Sequence, residues 1–346
     1  MPLNPYSVCL HSIRLDLKIA IVILNWNGKQ LLEQFLPAMM KYSNNATIYV
    51  ADNASTDNSV QFVNNHFPQV QIIQNTKNGG YAKGYNDALQ HVDADIYALV
   101  NSDIEVTENW LQPILEEFQN NENTIAIQPK ILDYKDKTKF EYAGAAGGYL
   151  DFFGYPYCRG RLFSTIEADQ DQYNDTTEIF WASGACFFIR SNVFHQLQGF
   201  DEDYFAHQEE IDLCWRIQNK GYTIKYCHNS IVYHVGGATL NKVNPRKTFL
   251  NFRNSLSSML KNIPNPLFII LSRLLLDGIS GIKFLFEGKP LHTWAIIKAH
   301  FSFYSFIPSM LKKRKAIAHK KVTYYHSKSI VWQYFVLGRK KFTDIK

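Results

Sequence analysis

The stretch ALVNSDIEV, residues 98–106, opens as a buried β-strand and then changes character. After Ala98, Leu99 and Val100 come an amide, a hydroxyl and a carboxylate: Asn101, Ser102 and Asp103. All three residue types end strands cheaply, so a plain turn is one reading. A ligand site is the other, because open α/β sheets bind ligands at the carboxyl ends of their strands. The neighbouring chain decides between them.

Upstream, apolar β-branched runs at 19–24, 47–51, 70–74 and 95–100 alternate with segments of helical spacing at 29–42, 56–66 and 81–92. Downstream, a helix is expected over 108–120 and a strand over 124–131. This β-α-β-α rhythm with short polar connections predicts a mostly parallel sheet covered by helices on both faces. Ser55 is the expected cap of the 56–66 helix. Each of the first four strands stops on a polar cluster: Asn25-Trp26-Asn27-Gly28, Asp52-Asn53-Ala54-Ser55, the Gly-rich loop 78–86, and Asn101-Ser102-Asp103. One such cluster is a turn, but four on the same edge imply a shared ligand crevice.

From 140 to 190 the pattern gives way to Gly-rich, aromatic, irregular chain, with a strand expected at 180–189. A short helix follows at 192–197, a longer one at 209–219, in which Asp212 and Arg216 pair at i,i+4, and a strand at 231–235. Beyond 245 come a helical segment at 246–261, an apolar one at 267–286 on which Arg273, Asp277, Ser280 and Glu287 share one helical stripe, an apolar and aromatic one at 294–311, and the run KKRK at 312–315.

The 346 residues are 46 % hydrophobic, which supports a full core and excludes a disordered chain. The five cysteines include no C-x-x-C pair, so neither a disulfide framework nor a zinc site is indicated. No secretory h-region is evident in the first seventeen residues, which are expected to be an N-terminal extension. The net charge of +5 hides an asymmetry: residues 242–346 hold 20 Lys and Arg against 3 Asp and Glu, and the remainder is acidic. A basic segment of this kind seeks phosphate, on nucleic acid or on an anionic membrane.

Taken in order, VILNWNG, VADNASTDNS, NGGYAKGYN, LVNSD and EEIDLCWR…YHVGG resemble the family 2 glycosyltransferases, especially the bacterial rhamnosyltransferase-like enzymes of polysaccharide synthesis. The resemblance covers about residues 18–255. It implies a GT-A catalytic domain over 18–245, a helical, basic region over 246–346, and inverting transfer of a sugar from a nucleotide-sugar. Asp52 resembles the base-reading aspartate; on its own it is equally a turn cap. Asn27, Asn53, Asn78, Asn86 and Asn101 join it as candidate nucleotide contacts, and Lys83 and Arg253 as candidate phosphate contacts.

A departing diphosphate needs its charge neutralised, and a divalent metal acts there as a Lewis acid. The family's Asp-x-Asp becomes Asn101-Ser102-Asp103 here, keeping only the second carboxylate. Asp103 is therefore the expected metal ligand, His234 matches the distant one, and an oxygen-rich set with one imidazole suits Mg²⁺ or Mn²⁺. The acceptor hydroxyl needs a general base. The family's Glu-Asp is Glu209-Glu210 in this chain, so Glu210 takes the base position, with Glu209 as the fallback; both also suit a helix N-terminus. Trp181, Ser183 and Gly184 match the segment that lines the sugar and acceptor pocket, with core packing the alternative for Trp181.

The basic tail lacks any nucleic-acid fold signature, so nucleic acid is not expected as a partner. Its apolar helices fit an interfacial segment on an anionic leaflet, next to glycan or lipid-linked glycan acceptors, and place the protein at the inner face of the cell membrane. Two rival readings are a sugar-nucleotide pyrophosphorylase, whose Gly-rich N-terminal phosphate loop is missing, and a non-catalytic nucleotide-sugar sensor.

Overall fold

The computed structural model describes residues 17–236, 244–317 and 323–345. Most of the expected N-terminal extension and Gly237 of the YHVGG motif lie outside these residues.

The first half alternates as its hydrophobic pattern predicts: β1 (Ile19–Asn25), α1 (Lys29–Tyr42), β2 (Ala46–Asp52), α2 (Ser59–His66), β3 (Gln71–Gln74), α3 (Gly80–Leu89), β4 (Ile96–Asn101), β5 (Ile104–Val106), α4 (Gln112–Asn120) and β6 (Thr124–Asp133). Four short strands then form a small antiparallel sheet: β7 (Gly148–Leu150), β8 (Pro156–Cys158), β9 (Arg161–Leu162) and β10 (Thr165–Ile166). The chain returns to the main sheet through β11 (Thr177–Glu178), β12 (Cys186–Arg190), α5 (Ser191–Gln196), α6 (Glu209–Asn219) and β13 (Thr223–His234). It ends in α7 (Pro245–Asn262), α8 (Leu267–Phe286) and α9 (Pro290–Arg314).

Among the described residues the main sheet runs β11-β13-β6-β12-β4-β1-β2-β3, with β5 also paired to β13. The pairs β4–β1, β1–β2, β2–β3 and β6–β13 are parallel, so the C-terminal ends of β1, β2, β3 and β4 share one edge. Strand alternation sends Ile19, Ile21 and Ile23 to the face covered by α1, α2 and α4. Ala20 and Val22 go to the opposite face, under α3, α5 and α6. Both faces are buried, which is why these strands are apolar at nearly every position.

Three local expectations are corrected. The second helix begins at Ser59 rather than 56, because the Ser55 hydroxyl accepts from the backbone N–H of Asn27 at 2.8 Å instead of capping. The strand expected from 180 begins at Cys186 and runs antiparallel to both neighbours, since 181–185 are held in irregular contacts such as Ser183 N–H to Gln128 Oε1, 2.8 Å. The strand expected at 231–235 starts at Thr223, with a register shift between Cys227 and Ile231.

Candidate active site

The strand-end clusters knit into one another. Asp52 is buried at the end of β2; its Oδ1 accepts from Asn25 Nδ2 at 3.0 Å and its Oδ2 from the N–H of Ser55 at 2.9 Å. Asn53, also buried, donates to Asn78 Oδ1 and to the carbonyl of Gly80, both at 3.0 Å, and so ties β2 to the Gly-rich loop. Asn27, at φ 51°, turns its Oδ1 to the N–H groups of Thr56 (2.7 Å) and Asp57 (3.2 Å). Beside it Trp26 leaves about half its surface in solvent, a flat aromatic at the crevice rim.

Asp103 lies in the two-residue turn between β4 and β5. Its Oδ1 lies 3.1 Å from His234 Nε2, at the end of β13, and His234 Nδ1 lies 3.2 Å from Glu141 Oε2. Burial works against a charged ring, but the carboxylates of Asp103 and Glu141 outweigh it and bring the imidazole pKa up to about 10. A carboxylate on the far nitrogen is how ligating histidines are oriented. The 3.1 Å separation matches adjacent ligands around a small octahedral cation with bonds of ~2.1 Å. Among the described residues no group of three or more His, Cys, Asp and Glu is arranged to hold a metal ion.

Hydrogen bonds tie the end of β4 and the start of α3 to the segments on either side of the second carboxylate pair's loop. The Asn101 N–H donates to the carbonyl of Ala185 at 2.9 Å, the Tyr81 hydroxyl to that of Gly184 at 2.8 Å, and the Tyr81 N–H to that of Phe205 at 2.8 Å. Phe205 opens a loop in which Phe205, His207 and Gln208 all take positive φ (63°, 69° and 74°), and Glu209 and Glu210 follow at once. Non-glycine residues in this region are strained, and such strain persists only where surroundings enforce it. Burial lifts the Glu210 carboxyl to about 7. Burial and the neighbouring charge of Glu210 lift Glu209 well above the usual carboxylate range. One oxygen of each carboxyl is buried without a hydrogen-bond partner. The buried Cys158 thiol, pushed up by burial, is within electrostatic reach of both Glu141 and Glu210.

The model of the family described as "Glycosyl transferase family 2" matches residues 20–198, just over half of the chain. The chain belongs to glycosyl transferase family 2. It is 24 % identical over 233 residues to the N-acetylglucosaminyl-diphospho-decaprenol L-rhamnosyltransferase of Mycobacterium tuberculosis, covering 62 % of this chain and 75 % of that one. It is 23 % identical over 283 residues to the low-salt glycan biosynthesis hexosyltransferase Agl10 of Haloferax volcanii, covering 78 % and 86 %. Its fold is shared with GalNAc-T7, solved with UDP, GalNAc and Mn²⁺ (TM-score 0.59, 13 % identity, 84 % of this chain and 58 % of that one). It is shared also with S. aureus TarS in complex with UDP-GlcNAc (TM-score 0.55, 15 % identity, 86 % and 83 %). The protein is a glycosyltransferase of the GT-A fold, and the chemistry is sugar transfer from a nucleotide-sugar.

Within this transferase several expected site residues are occupied elsewhere. Trp181 is buried; its indole N–H donates to the carbonyl of Tyr149 at 3.0 Å, and its ring packs so tightly on Gly148 that a Cβ there would lie 2.0 Å away. That is a core position, not a sugar platform. Asn86 spends both ends of its amide on the backbone of Phe200, each at 2.9 Å, and so braces the fold rather than reaching a nucleotide. Arg253 donates to the carbonyls of Asp203 (3.1 Å) and Tyr204 (3.3 Å), just ahead of the loop that leads into Glu209 and Glu210. Lys83 stays at the surface, paired with Asp87 at 2.7 Å and Glu202 at 3.5 Å. Ser183 is buried, with its hydroxyl accepting from the N–H of Ala185 at 3.2 Å, and Gly184 presents its carbonyl to Tyr81.

The sequence reading does not single out Glu141 or Trp26, and it sets Asn254 beside Arg253 near the diphosphate, whereas its amide bonds the carbonyls of Tyr204, Ala206 and His207. Glu141 sits in irregular chain with no periodicity to mark it. Trp26 was visible inside Asn25-Trp26-Asn27, and a large aromatic at a polar strand end is itself a signal. Asn254 lies on a different element, far along the chain from the loop it contacts.

Proposed function

We propose that this transferase inverts the anomeric centre of a nucleoside diphosphate-linked hexose or deoxyhexose and delivers it to a hydroxyl of a glycan or lipid-linked glycan at an anionic membrane surface. The observation that carries the reading is a buried carboxyl, Glu210, lifted to about 7, at the end of a loop that Tyr81 ties to the segment bonded by the Asn101 N–H, through the carbonyls of Phe205 and Gly184. A base is most effective when its pKa lies near the working pH.

Glu210 accepts the acceptor proton as that oxygen bonds to the anomeric carbon and the bond from that carbon to the diphosphate oxygen breaks. Glu209, which burial keeps neutral, leaves Glu210 as the anionic partner of the pair. Asp103 and, once its ring has released a proton, His234 would hold a divalent cation, Mg²⁺ or Mn²⁺, which when bound takes up the charge of the departing diphosphate. His234 is oriented for this by Glu141. Asp52, Asn53 and Asn27 shape the pocket for the base, and Trp26 offers a stacking face. The likeness to a rhamnosyltransferase acting on a decaprenol diphosphate sugar, and to structures solved with UDP and Mn²⁺, supports a diphosphate donor and a lipid-linked acceptor.

The test is release of nucleoside diphosphate from UDP-, dTDP- and GDP-sugars, with and without Mn²⁺. Metal-dependent release that is lost in Glu210→Gln and in Asp103→Asn supports the reading. Binding without release from any donor favours the sensor.

A further inference from the structure

Helix α8 is built inside out. Its outward side carries Phe268, Leu271, Leu275, Ile279, Ile282 and Phe286 at successive spacings of three and four, which is one continuous helical face. These side chains are 55–90 % exposed. Its inward side carries the polar groups. The Arg273 guanidinium pairs with Asp277 at 2.7 Å and donates to the carbonyl of Phe153 at 3.0 Å, while the Tyr155 hydroxyl donates to Asp277 at 3.2 Å. A helix lying on a protein in water shows the reverse arrangement. An exposed apolar stripe of this length marks an interaction surface. Trp294 of α9 and Trp332 in the C-terminal segment, both more than half exposed, are further amphipathic rings of the kind that settle at headgroup depth.

Charge selects the occupant. Residues 242–346 carry 20 basic and 3 acidic side chains, and Lys298, Lys312, Lys315, Lys328 and Lys340 are exposed. A second copy would bring the same positive charge against this region, whereas an anionic leaflet complements it. No helix among the described residues is long and apolar enough to cross a membrane, so the geometry is that of a helix lying in the interface. The α8–α9 hairpin also reaches the crevice end of the molecule. His292 Nδ1 is 2.7 Å from Thr248 Oγ1 in the first turns of α7, and Arg246 of that helix stands over the ring of Phe205, 5.1 Å from its centroid.

We propose that the outer face of α8, together with Trp294 and Trp332, is the surface by which this transferase lies on an anionic lipid bilayer, bringing the Phe205 side of the crevice next to the headgroups where a lipid-anchored acceptor is held. The inference gives a location to the membrane part of the proposed function and needs none of its chemistry.

The test is flotation of the full chain with vesicles of phosphatidylcholine, with and without phosphatidylglycerol. The protein is expected to float with the anionic vesicles, less so at high salt, and about tenfold less after Leu275→Glu with Ile279→Glu. Both positions are exposed, so the melting curve of the double variant should match the parent. Nucleoside diphosphate release, measured on both proteins, reports separately on the transfer reaction. Parent protein that stays at the bottom of the gradient overturns the proposal, as does a double variant that floats unchanged. So does a dimer that the double variant splits without loss of flotation, which would assign the face to a second copy.

Discussion

The side-chain N–H₂ of Asn254, on α7, lies 2.7 Å from the carbonyl oxygen of His207 and 3.1 Å from those of Tyr204 and Ala206. One buried amide thus holds the carbonyls of the strained loop that leads into Glu209 and Glu210. Arg253 and Lys261, from the same helix, add bonds to the Tyr204 carbonyl and to Asp201 at 3.3 and 2.6 Å. The C-terminal helices are therefore part of the device that aims the proposed base.

Replacing Asn254 by Ala takes this donor from the Ala206 and His207 carbonyls and leaves Tyr204 only the longer bond from Arg253. A loss of about 1–3 kcal/mol of stability follows from the unsatisfied buried groups. The kcat should fall about tenfold or more while donor KM changes little, because the loop aims the base and does not bind the nucleotide. Asn254→Asp should be worse than Ala, since it faces carbonyl oxygens with a carboxylate. Thermal melts and steady-state kinetics check both.

Glu210→Gln should lower kcat by about 10²–10⁴-fold while the protein stays folded. In the parent, kcat/KM should rise with pH and level off above about 7, as the buried carboxyl ionises. The sign for stability is opposite. With its pKa at about 7 folded against 4.5 free, Glu210 retains a proton in the folded state that the unfolded chain releases. Stability therefore falls as pH rises from about 4.5 to 7, and Glu209, raised further, extends the fall. Glu210→Gln should flatten this slope in melts taken across that range.

Asp103→Asn should remove the response of the melting temperature to Mn²⁺ plus nucleoside diphosphate, since a ligand stabilises only by binding the native state. His234→Ala should weaken that response. Glu141→Gln should weaken it less, because it acts on the imidazole and not on the cation. Isothermal titration with Mn²⁺ and UDP or dTDP measures the order.

Gly80→Ala tests how the Gly-rich loop meets the base loop. Gly80 has φ +78°, and a Cβ there would stand 2.3 Å from the Phe205 carbonyl oxygen. Strain of this kind costs about 1–3 kcal/mol before the clash is added. Lower melting temperature together with lost activity is expected.

Trp26→Ala and Trp181→Ala should separate cleanly. Trp181, buried against Gly148, should cost about 3–5 kcal/mol in denaturant titrations. Trp26, half exposed at the rim, should leave the midpoint unchanged and raise the donor KM.

The sequence by itself determined the alternating architecture and the edge on which the polar clusters gather. These follow from local periodicity and from residues adjacent in the chain: an apolar run of period two buries itself, and whatever follows it must sit at the strand end. Only the tertiary structure decided that Trp181, Asn86 and Arg253 brace the core and the base loop, that Glu141 stands behind His234, and that α8 turns its ion pair inward and its leucines out. A motif specifies residue type at a position. The partner that takes up a side chain's hydrogen bonds arrives from elsewhere in the chain, as Phe200 does for Asn86 and Tyr204 for Arg253. The helical spacing of α8 announced two faces, but which face is buried depends on Phe153 and Tyr155 supplying the polar contacts that Arg273 and Asp277 require.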